Sequence, residues 1–428
     1  MMVESNDWET VDLDQVADLR AGYGFPRTMQ GKSSGNFPFA KVGDISNVVR
    51  SGGVYISKAR NYVDIEQLAL LRAKPFPSGS IVFAKIGEAI RQNYRAISKT
   101  EMLFDNNVMG VIPDNKKIMT SFLYHFLNTV DFYRLAGKTT VPAIRKSTLQ
   151  QLQVPLPPLE EQERIAAILD KADAIRRKRK EAIALTDEFL RSAFLDMFGD
   201  PVLNPKGWDV KPLRNCIANI QAGWSSKSEA RSVEDGEWGV LKISAVTTGR
   251  YLPGEHKAVG HPEFKKAPIV PQVGDLLFSR ANTRELVAAT CLVDQVVERL
   301  FLPDKLWKIE TEPKVMNREY LRYLLSHDHF RSFLTRKATG TSGSMLNVSQ
   351  TKLLELKVPV PSITSQDLFQ SIVWRAYALR QQTEAGLLTA ENLFNALVQR
   401  AFRGELYAES WPENASQHDH FQSGAQPN

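Results

Sequence analysis

The chain has 428 residues, of which 43% are hydrophobic and 24% are charged, a composition typical of a globular protein with several domains. This composition excludes a chain that is disordered throughout, and no apolar run approaches the ~20 residues of a membrane-spanning helix. Lys and Arg number 54 against 48 Asp and Glu, and the resulting net charge of +6 does not by itself decide whether the partner is a nucleic acid.

The N-terminus and the cysteine content predict where the protein works. The acidic residues Glu4, Asp7 and Glu9 stand where a signal peptide would carry positive charge. Cys216 and Cys291 are the only cysteines, too few for a disulfide framework. We therefore expect a soluble, cytoplasmic protein without membrane association, in which both cysteines are buried small apolar residues.

The two halves of the chain resemble each other at an offset of about 200 residues. Each half opens with a tryptophan, a leucine and an Ala-Gly-aromatic triplet: Trp8, Leu13 and Ala21-Gly22-Tyr23, then Trp208, Leu213 and Ala222-Gly223-Trp224. Each continues with an alternating apolar run after a turn glycine, which predicts a strand ending on a base: Gly79 to Lys85 and Gly274 to Arg280. Each closes with a strand-like stretch that prolines stop: Val154 to Gln162 and Val358 to Gln366. The chain is therefore predicted to be an internal repeat.

Each closing stretch leads into a long helical pattern without proline, from about Glu160 to Met197 and from about Ser365 to Arg403. Apolar and small residues in both helices follow the spacing of a coiled-coil seam. They are Ile165, Ile168, Ala172, Ile175, Ala182, Phe189 and Ala193 in the first helix, and Phe369, Ile372, Ala376, Leu379, Thr383, Gly386, Ala390, Leu393 and Leu397 in the second. We expect the helices to pair antiparallel; the alternative is that each packs only on its own half.

A helix of about 36 residues is ~54 Å long, so an antiparallel pair would separate the two halves and relate them by a pseudo-two-fold axis like that of a duplex. The predicted fold class is α+β, with two tandem mixed α/β domains joined and separated by two long antiparallel coiled-coil helices. The predicted boundaries are 1–158 and 198–364 for the mixed domains, 159–197 and 365–407 for the helices, and 408–428 for a disordered tail.

The positive charge is concentrated in the two mixed domains. Residues 1–158 carry 19 Lys and Arg against 14 Asp and Glu, and residues 198–365 carry 23 against 18, so each segment has a net charge of +5. The first helix has a net charge of −1, and the chain after residue 365 has −3. Residues 19–158 alone reach +11, because the first 18 residues hold six acids and no base. This distribution predicts that the mixed domains bind a polyanion such as DNA.

Motifs for catalysis on nucleic acids are missing from the sequence. Both Gly-Lys-Ser/Thr triplets, at 31–33 and 137–139, lack the preceding glycine of a P-loop. The single Pro-Pro pair follows Leu156, where an amino-methyltransferase would need Asn or Asp. Pro303-Asp304 with Glu312-Pro313-Lys314 resembles a nuclease pattern, but Pro313 would interrupt the second strand of such a site. We therefore expect a chain without catalysis of its own and without a bound metal.

Two motifs and the order of the parts resemble a known family. The motifs are LQVPLPPLEEQERIA over residues 152–166 and ALVQRAFRGEL over residues 396–406. Together with the duplication, they make residues 8–407 resemble the specificity subunit of type I restriction-modification systems. The second copy departs from the first at Ser362-Ile363-Thr364-Ser365-Gln366, which lacks the Glu160-Glu161 pair.

The resemblance implies that each mixed domain is a target recognition domain for one half of a bipartite sequence in double-stranded DNA. It implies that the helices set the gap between the halves and dock two methyltransferase subunits. Catalysis would then belong to partners: adenine-N6 methyltransferase subunits use S-adenosylmethionine, endonuclease-translocase subunits use ATP and Mg²⁺, and this chain binds no cofactor. Two rival functions are a scaffold that bridges two partners without reading DNA, and a self-contained nuclease.

Equivalent positions of the repeat supply the candidate DNA-binding residues, since the family offers no motif for base contacts. Lys85 and Arg280 end equivalent strands. A loop group comprises Arg27, Lys32, Ser33 and Ser34, with Ser225, Ser226 and Lys227 in the second half. A third group comprises Thr139, Thr140, Arg145 and Lys146, with Thr341, Ser342 and Ser344 in the second half. The Arg and Lys side chains are suited to contact guanine or phosphate, and the Ser and Thr hydroxyls are suited to contact phosphate. For each residue, the alternative is an ordinary surface role.

The first helix also carries a basic run from Arg176 to Lys180. Two interpretations stay open for it: contact with DNA phosphates or an acidic partner, and a solvated helix face.

Overall fold

The computed structural model describes residues 8–137, 140–262, 264, 266–339 and 345–406. The chain divides into two compact units. Unit 1 runs to Ala182 and resumes at Glu384, and unit 2 is Ile183–Thr383. Each unit contains a mixed α/β part and portions of both long helices. The predicted tail from residue 408 lies outside the described residues.

The mixed part of unit 1 surrounds a five-stranded sheet. The strands are β1 (Glu9–Asp12), β2 (Ala17–Ala21), β3 (Phe37–Ala40), β4 (Tyr55–Ile56), β5 (Asn61–Val63), β6 (Ile81–Ala84), β7 (Arg95–Ser98), β8 (Leu103–Phe104), β9 (Val108–Pro113) and β10 (Gln153–Leu156). The short helices are α1 (Val42–Arg50), α2 (Ile65–Leu71), α3 (Thr120–Thr129), α4 (Phe132–Leu135) and α5 (Lys146–Gln150). The five-stranded sheet has the order β2-β9-β6-β7-β4, beside the sheet β5-β3-β8 and the pair β1-β10. Strand β6 is the strand predicted after Gly79, and its four residues are all buried, as suits a central strand.

Two long helices follow the mixed parts of the two halves: α6 (Leu159–Phe198) and, later in the chain, α10 (Ile363–Phe402). Both begin and end within two residues of the helical patterns from about Glu160 to Met197 and from about Ser365 to Arg403, which confirms the two helices. The predicted boundary at 407 lies beyond the end of α10 at Phe402.

Unit 2 repeats this organisation around a four-stranded sheet. Its strands are β11 (Asp209–Pro212), β12 (Ile217–Ala222), β13 (Trp238–Leu241), β14 (His256–Gly260), β15 (Leu276–Ser279), β16 (Ala281–Asn282), β17 (Thr290–Leu292), β18 (Leu300–Phe301), β19 (Leu306–Thr311), β20 (Leu346–Asn347) and β21 (Lys357–Val360). Its short helices are α7 (Arg318–Ser326), α8 (Asp328–Lys337) and α9 (Gln350–Leu354). The sheets are β12-β19-β15-β17, β14-β13-β18, β11-β21 and β16-β20. The fully buried strand β15 is the strand predicted after Gly274.

Equivalent strands make equivalent pairs in the two units. The first strand pairs antiparallel with the last, β1 with β10 and β11 with β21. The parallel pair β3-β8 corresponds to β13-β18. A Cβ at Gly22 would overlap the carbonyl oxygen of Asp105, and a Cβ at Gly223 would overlap that of Leu302. The repeated Ala-Gly-aromatic triplet therefore marks a close backbone approach that only glycine permits.

The long helices pair antiparallel within each unit. In unit 1 the start of α6 shares a buried cluster with the end of α10, including Ile165 and Leu397. In unit 2 the end of α6 meets the start of α10, where the rings of Phe194 and Phe369 lie 5.7 Å apart. The same clusters contain residues of the mixed parts, such as Leu13, so each helix also packs on its own unit. The predicted fold class of mixed repeats with two long antiparallel helices is confirmed.

The predicted apolar stripes are wrong in register at several positions. Leu379 and Leu393 were placed in the seam but are 61% and 55% exposed, and Phe189 is 54% exposed. The residues buried instead, Leu190 and Arg380, each lie one position further along the chain. A straight helix drifts by ~20° per heptad relative to a 3.5-residue repeat, so a stripe drawn with coiled-coil spacing leaves the buried face within a few heptads.

A buried glutamine in the first turn of each long helix ties that helix to its own unit. The Oε1 of Gln162 accepts from the Met119 N–H at 2.8 Å, and its Nε2 donates to the carbonyls of Lys117 and Pro157 at 3.0 and 2.8 Å. Gln366 makes the same three bonds at 2.8, 3.0 and 2.9 Å, with the Asn317 N–H and the carbonyls of Val315 and Pro361. The repeated glutamine of the closing motif therefore holds the helix start in place.

Cys216 and Cys291 are buried and form no disulfide, and burial raises the pKa of both thiols. Within the described ranges, no group of three or more His, Cys, Asp or Glu side chains is placed to hold a metal ion. None of the described helices has the length and apolar character needed to cross a bilayer.

Candidate nucleic-acid interface

Lys85 directly follows β6 and connects three segments of unit 1. Its N–H donates to the carbonyl of Asn107 at 2.8 Å, in the turn between β8 and β9. Its carbonyl accepts from the Ile144 N–H at 2.9 Å, which holds the segment that ends in Arg145 and Lys146 against it. Arg145 and Lys146 are exposed, as is Thr140 in the same segment. The structure thus brings the first and third predicted groups of the first half to one place.

The predicted loop group of unit 1 is exposed between β2 and β3: Arg27, Lys32, Ser33 and Ser34. Lys32 forms an ion pair with Asp64, so part of its charge is already neutralised. The loop begins at Tyr23, whose N–H donates to the carbonyl of Phe104 at 2.8 Å. Since Phe104 directly precedes the turn that binds Lys85, this loop starts beside the same turn.

That turn, residues 105–107, carries one buried and two more accessible polar side chains. Asp105 is buried, and this burial raises the pKa of its carboxyl, although the Asn107 N–H donates to it at 3.1 Å. Asn106 is exposed. The turn therefore presents the Asn106 side chain to solvent next to a buried carboxyl group that accepts from the backbone N–H of Asn107.

Arg280 occupies in unit 2 the place of Lys85 in unit 1. It follows β15, and its N–H donates to the carbonyl of Lys305 at 3.1 Å, in the turn between β18 and β19. Its Nε donates to the carbonyl of Asp304 at 3.1 Å, and its guanidinium lies 5.9 Å from the ring centre of Trp307. The side-chain contacts hold the guanidinium at the turn, and the backbone bond that Arg280 shares with Lys85 makes the two positions structurally equivalent.

Ser225 and Ser226 lie at the same turn of unit 2. The Ser225 hydroxyl donates to the Asp304 carboxylate. Both serines line an open cavity of about 440 Å³ whose polar lining includes Lys242, Lys257, Asn282, Asp304 and Lys305. Lys227 follows them and is exposed. The predicted loop group of unit 2 is therefore joined to Arg280 through Asp304. Four predicted residues, Thr139, Thr341, Ser342 and Ser344, lie outside the described residues.

Each unit holds one further basic residue at the end of a strand, which was not among the predicted site residues. Lys41 follows β3, donates to the Gln30 side chain at 2.7 Å and lies 5.4 Å from the ring centre of Phe25. Lys242 follows β13, lines the cavity and lies 3.5 Å from a carboxylate oxygen of Glu255. The signal was present, because four mostly apolar residues precede a lysine at matching places of the repeat, in FPFAK and in WGVLK.

The basic run of α6 is largely engaged within unit 1. Arg176 and Arg177 both pair with Asp173, and Lys180 pairs with Glu391 of α10 at 2.7 Å. The Arg176 guanidinium also lies 4.3 Å from the ring centre of Phe394. The run contributes to the pairing of the helices, which neither open interpretation had anticipated.

Comparisons with known proteins match this architecture. Residues 5–185 match the family model described as Type I restriction modification DNA specificity domain. The chain is 26% identical to the type I restriction enzyme EcoEI specificity subunit of Escherichia coli over 44% of this chain, an alignment that spans only 32% of that relative. It is 23% identical to a type I restriction enzyme specificity subunit of Haemophilus influenzae over 90% of this chain and 92% of the relative.

A solved structure shares the fold. The crystal structure of the type I restriction-modification system S subunit from M. genitalium superposes with a TM-score of 0.59 at 16% identity, covering 94% of this chain and 98% of that one. Together these matches confirm the resemblance to type I specificity subunits that the sequence motifs predicted.

Proposed function

We propose, because residues 5–185 match the family model of the Type I restriction modification DNA specificity domain, that the chain is the DNA-specificity subunit of a type I restriction-modification complex. Each unit reads one half of a bipartite target in double-stranded DNA. The observation that carries this proposal is the equivalence of Lys85 and Arg280. Each follows a buried central strand and donates its N–H to the turn that precedes the neighbouring strand of the sheet, β9 in unit 1 and β19 in unit 2. An equivalent basic site in each unit is what recognition of a bipartite DNA target would require.

The charge distribution supports DNA as the ligand of both units. The segments 1–158 and 198–365 each carry a net charge of +5, whereas the rest of the chain is net acidic. Neutralising phosphates with Lys and Arg releases counterions, which supplies affinity without regard to sequence. The base edges of the major groove then supply specificity through a few side chains held at fixed positions. The turns beside Lys85 and Arg280 hold such side chains.

The long helices set the gap between the two half-sites and dock two methyltransferase subunits. Support comes from large apolar side chains exposed on both helices, including Leu185 and Phe189 on α6 and Leu379, Leu388 and Leu393 on α10. Leu185 and Phe189 lie one turn apart on α6, and such neighbouring exposed apolar side chains form the kind of patch that a partner commonly covers. These side chains stay exposed after the two helices have paired.

Catalysis belongs to the partner subunits in this proposal. Adenine-N6 methyltransferase subunits use S-adenosylmethionine, and endonuclease-translocase subunits use ATP and Mg²⁺. This chain contributes recognition and binds none of these cofactors.

The decisive experiment is co-expression of the chain with its methyltransferase subunit, followed by sequencing of methylated DNA. We expect two short specific sequences separated by a gap of fixed length and arbitrary sequence. A contiguous methylated motif would overturn the two-unit proposal.

Two further measurements separate the rival functions. If the chain is only a scaffold, it will assemble with the methyltransferase, but the complex will not shift a specific duplex in electrophoresis. If the chain is a nuclease, the purified chain alone will cut DNA when Mg²⁺ is added.

A further inference from the structure

The turns beside Lys85 and Arg280 correspond residue by residue. Lys85 donates its N–H to the carbonyl of Asn107, and Arg280 donates its N–H to that of Lys305, which makes Asn107 and Lys305 equivalent. The residues that follow Gly22 and Gly223 donate to the carbonyls of Phe104 and Leu302, which makes these two residues equivalent as well. Two residues lie between each pair of anchors, so Asn106 of unit 1 corresponds to Asp304 of unit 2.

Equivalent positions of the two turns carry different hydrogen-bonding groups. Unit 1 offers the amides Asn106 and Asn107, and unit 2 offers the carboxylate of Asp304 and the ammonium of Lys305. Asn106 is exposed, and within the part of the chain that the structure describes its side chain makes no hydrogen bond. One carboxylate oxygen of Asp304 accepts from Ser225, and the other accepts no hydrogen bond from the described residues. Both positions can therefore meet a ligand.

Base chemistry distinguishes the two turns. In the major groove, an asparagine amide pairs with the N6 and N7 of adenine, because it both donates and accepts. A carboxylate only accepts, which suits the N4 amino group of cytosine, while lysine donates to the O6 and N7 of guanine. Asp304 can only accept and the adjacent Lys305 can only donate, which matches the cytosine and the guanine of one C·G pair in the major groove. Pro303 directly before Asp304 restricts the backbone there, which lowers the cost of holding the carboxylate in place.

We propose that these turns determine specificity: Asn106 of unit 1 selects an adenine, and Asp304 with Lys305 of unit 2 selects a C·G pair, Asp304 at cytosine and Lys305 at guanine. This inference rests on the proposed function, since it assigns bases within the half-sites. It also gives a role to the Pro303-Asp304 segment, which otherwise resembles only an interrupted nuclease motif.

The test exchanges the two side chains in separate variants, Asn106→Asp and Asp304→Asn, each co-expressed with the methyltransferase. Sequencing of methylated DNA then gives the base preference at every position. We expect Asp304→Asn to weaken the preference for cytosine at one position by about tenfold and to raise that for adenine, in one half-site only. Asn106→Asp should weaken the preference for an adenine at one position in the other half-site.

The matched control is Glu312→Gln, which removes an exposed negative charge just beyond the other end of β19. It should leave the methylated sequence unchanged. An unchanged sequence in both exchange variants, a change in both half-sites at once, or a uniform loss of methylation by folded variants would overturn the inference.

A second measurement uses the wild-type complex and so does not depend on the folding of a variant. Each guanine of the target is replaced in turn by 7-deazaguanine, which lacks the N7 acceptor, and binding is measured by fluorescence anisotropy. We expect one position in one half-site to weaken binding by about tenfold, because its contact with Lys305 is lost. If no guanine is sensitive, the assignment of Lys305 is wrong. If the wild-type complex yields no bipartite target at all, the proposed function itself has failed.

Discussion

The basic residue after the central strand is the one that we propose to contact DNA in each unit. Lys85 is held by its backbone on both sides, at the carbonyl of Asn107 and the N–H of Ile144. Its side chain therefore starts from a fixed position while its ammonium group can move toward a phosphate. Such a site costs little entropy to order when DNA binds, since the backbone is already fixed.

Lys85→Ala should weaken DNA binding by the whole complex without changing its sequence preference. A lysine that contacts a phosphate contributes about one unit to the slope of log affinity against log salt, so the variant should lose about that much. Binding is measured by anisotropy at several salt concentrations. The control Lys116→Ala removes an exposed charge from the β9–α3 segment of the same unit. Equal salt slopes for Lys85→Ala and the wild type would contradict the prediction.

The buried glutamines act at the junction of each helix with its unit. Gln366→Leu removes three hydrogen bonds and leaves the Asn317 N–H without its acceptor. At ~1 kcal/mol for each bond, and more for a buried donor left unpaired, the free energy of unfolding should fall by about 3 to 4 kcal/mol. Urea unfolding measures this change.

Gln399→Leu is the control for this prediction, because Gln399 is exposed on the same helix. Its effect should stay within about 0.5 kcal/mol of the wild type. If both leucine variants unfold at the same urea concentration, the glutamine does not hold the junction.

At the scale of elements, the long helices have more apolar surface than their own contacts cover. Leu388 is 61% exposed on α10. We expect Leu388→Asp to lower the association of the chain with the methyltransferase subunit by more than tenfold, because a charge placed in an apolar interface must be desolvated without a partner. Copurification and size-exclusion chromatography measure the association.

Gln382→Asp is the matched control, an added charge at an exposed position about 120° around the helix from Leu388. Both variants should unfold at nearly the wild-type temperature, since neither residue is buried. Normal assembly of Leu388→Asp would show that the partner docks elsewhere.

The sequence predicted the elements well where a pattern is local. The central strands β6 and β15 follow a turn glycine and contain only apolar residues up to their last position, so their burial could be foreseen. The starts of both long helices were predictable from the prolines that precede Gln162 and Gln366. The buried face of α10 was not, because Arg380 is buried in ion pairs with Asp187 and Asp294, two residues that are distant in sequence and that the helical pattern does not identify.

The candidate site could be predicted where it depends on matched sequence positions and not where it depends on contacts between distant segments. Duplication identified Lys85 and Arg280, since both lie in matched strands. It also could have identified Lys41 and Lys242, which follow matched strands. The ion pair of Lys32 with Asp64 could not be foreseen, because it depends on how two loops fold together rather than on either sequence.

For the whole molecule, the net charge of +6 becomes informative only through the repeat. The same surplus spread evenly over 428 residues would indicate nothing about a ligand. Concentrated as +5 in each mixed segment, it accompanies two equivalent basic sites on equivalent strands. If both units bind DNA as proposed, two weak sites joined by helices would gain affinity together, because binding of one unit would raise the effective concentration of the other at its half-site.

We therefore expect the length of the helices to set the number of base pairs between the two half-sites. Four helix-forming residues inserted after Ala182 and four after Thr383, the points at which α6 and α10 pass from one unit to the other, add ~6 Å of rise and ~40° of rotation. One base pair adds ~3.4 Å and about 35°, so the gap should widen by about one or two base pairs while both half-sites keep their bases. Sequencing of methylated DNA gives the gap directly. The same four residues inserted after Leu406, beyond the end of α10, should leave the gap unchanged. An active double-insertion variant with the original gap would show that the helices do not set the spacing.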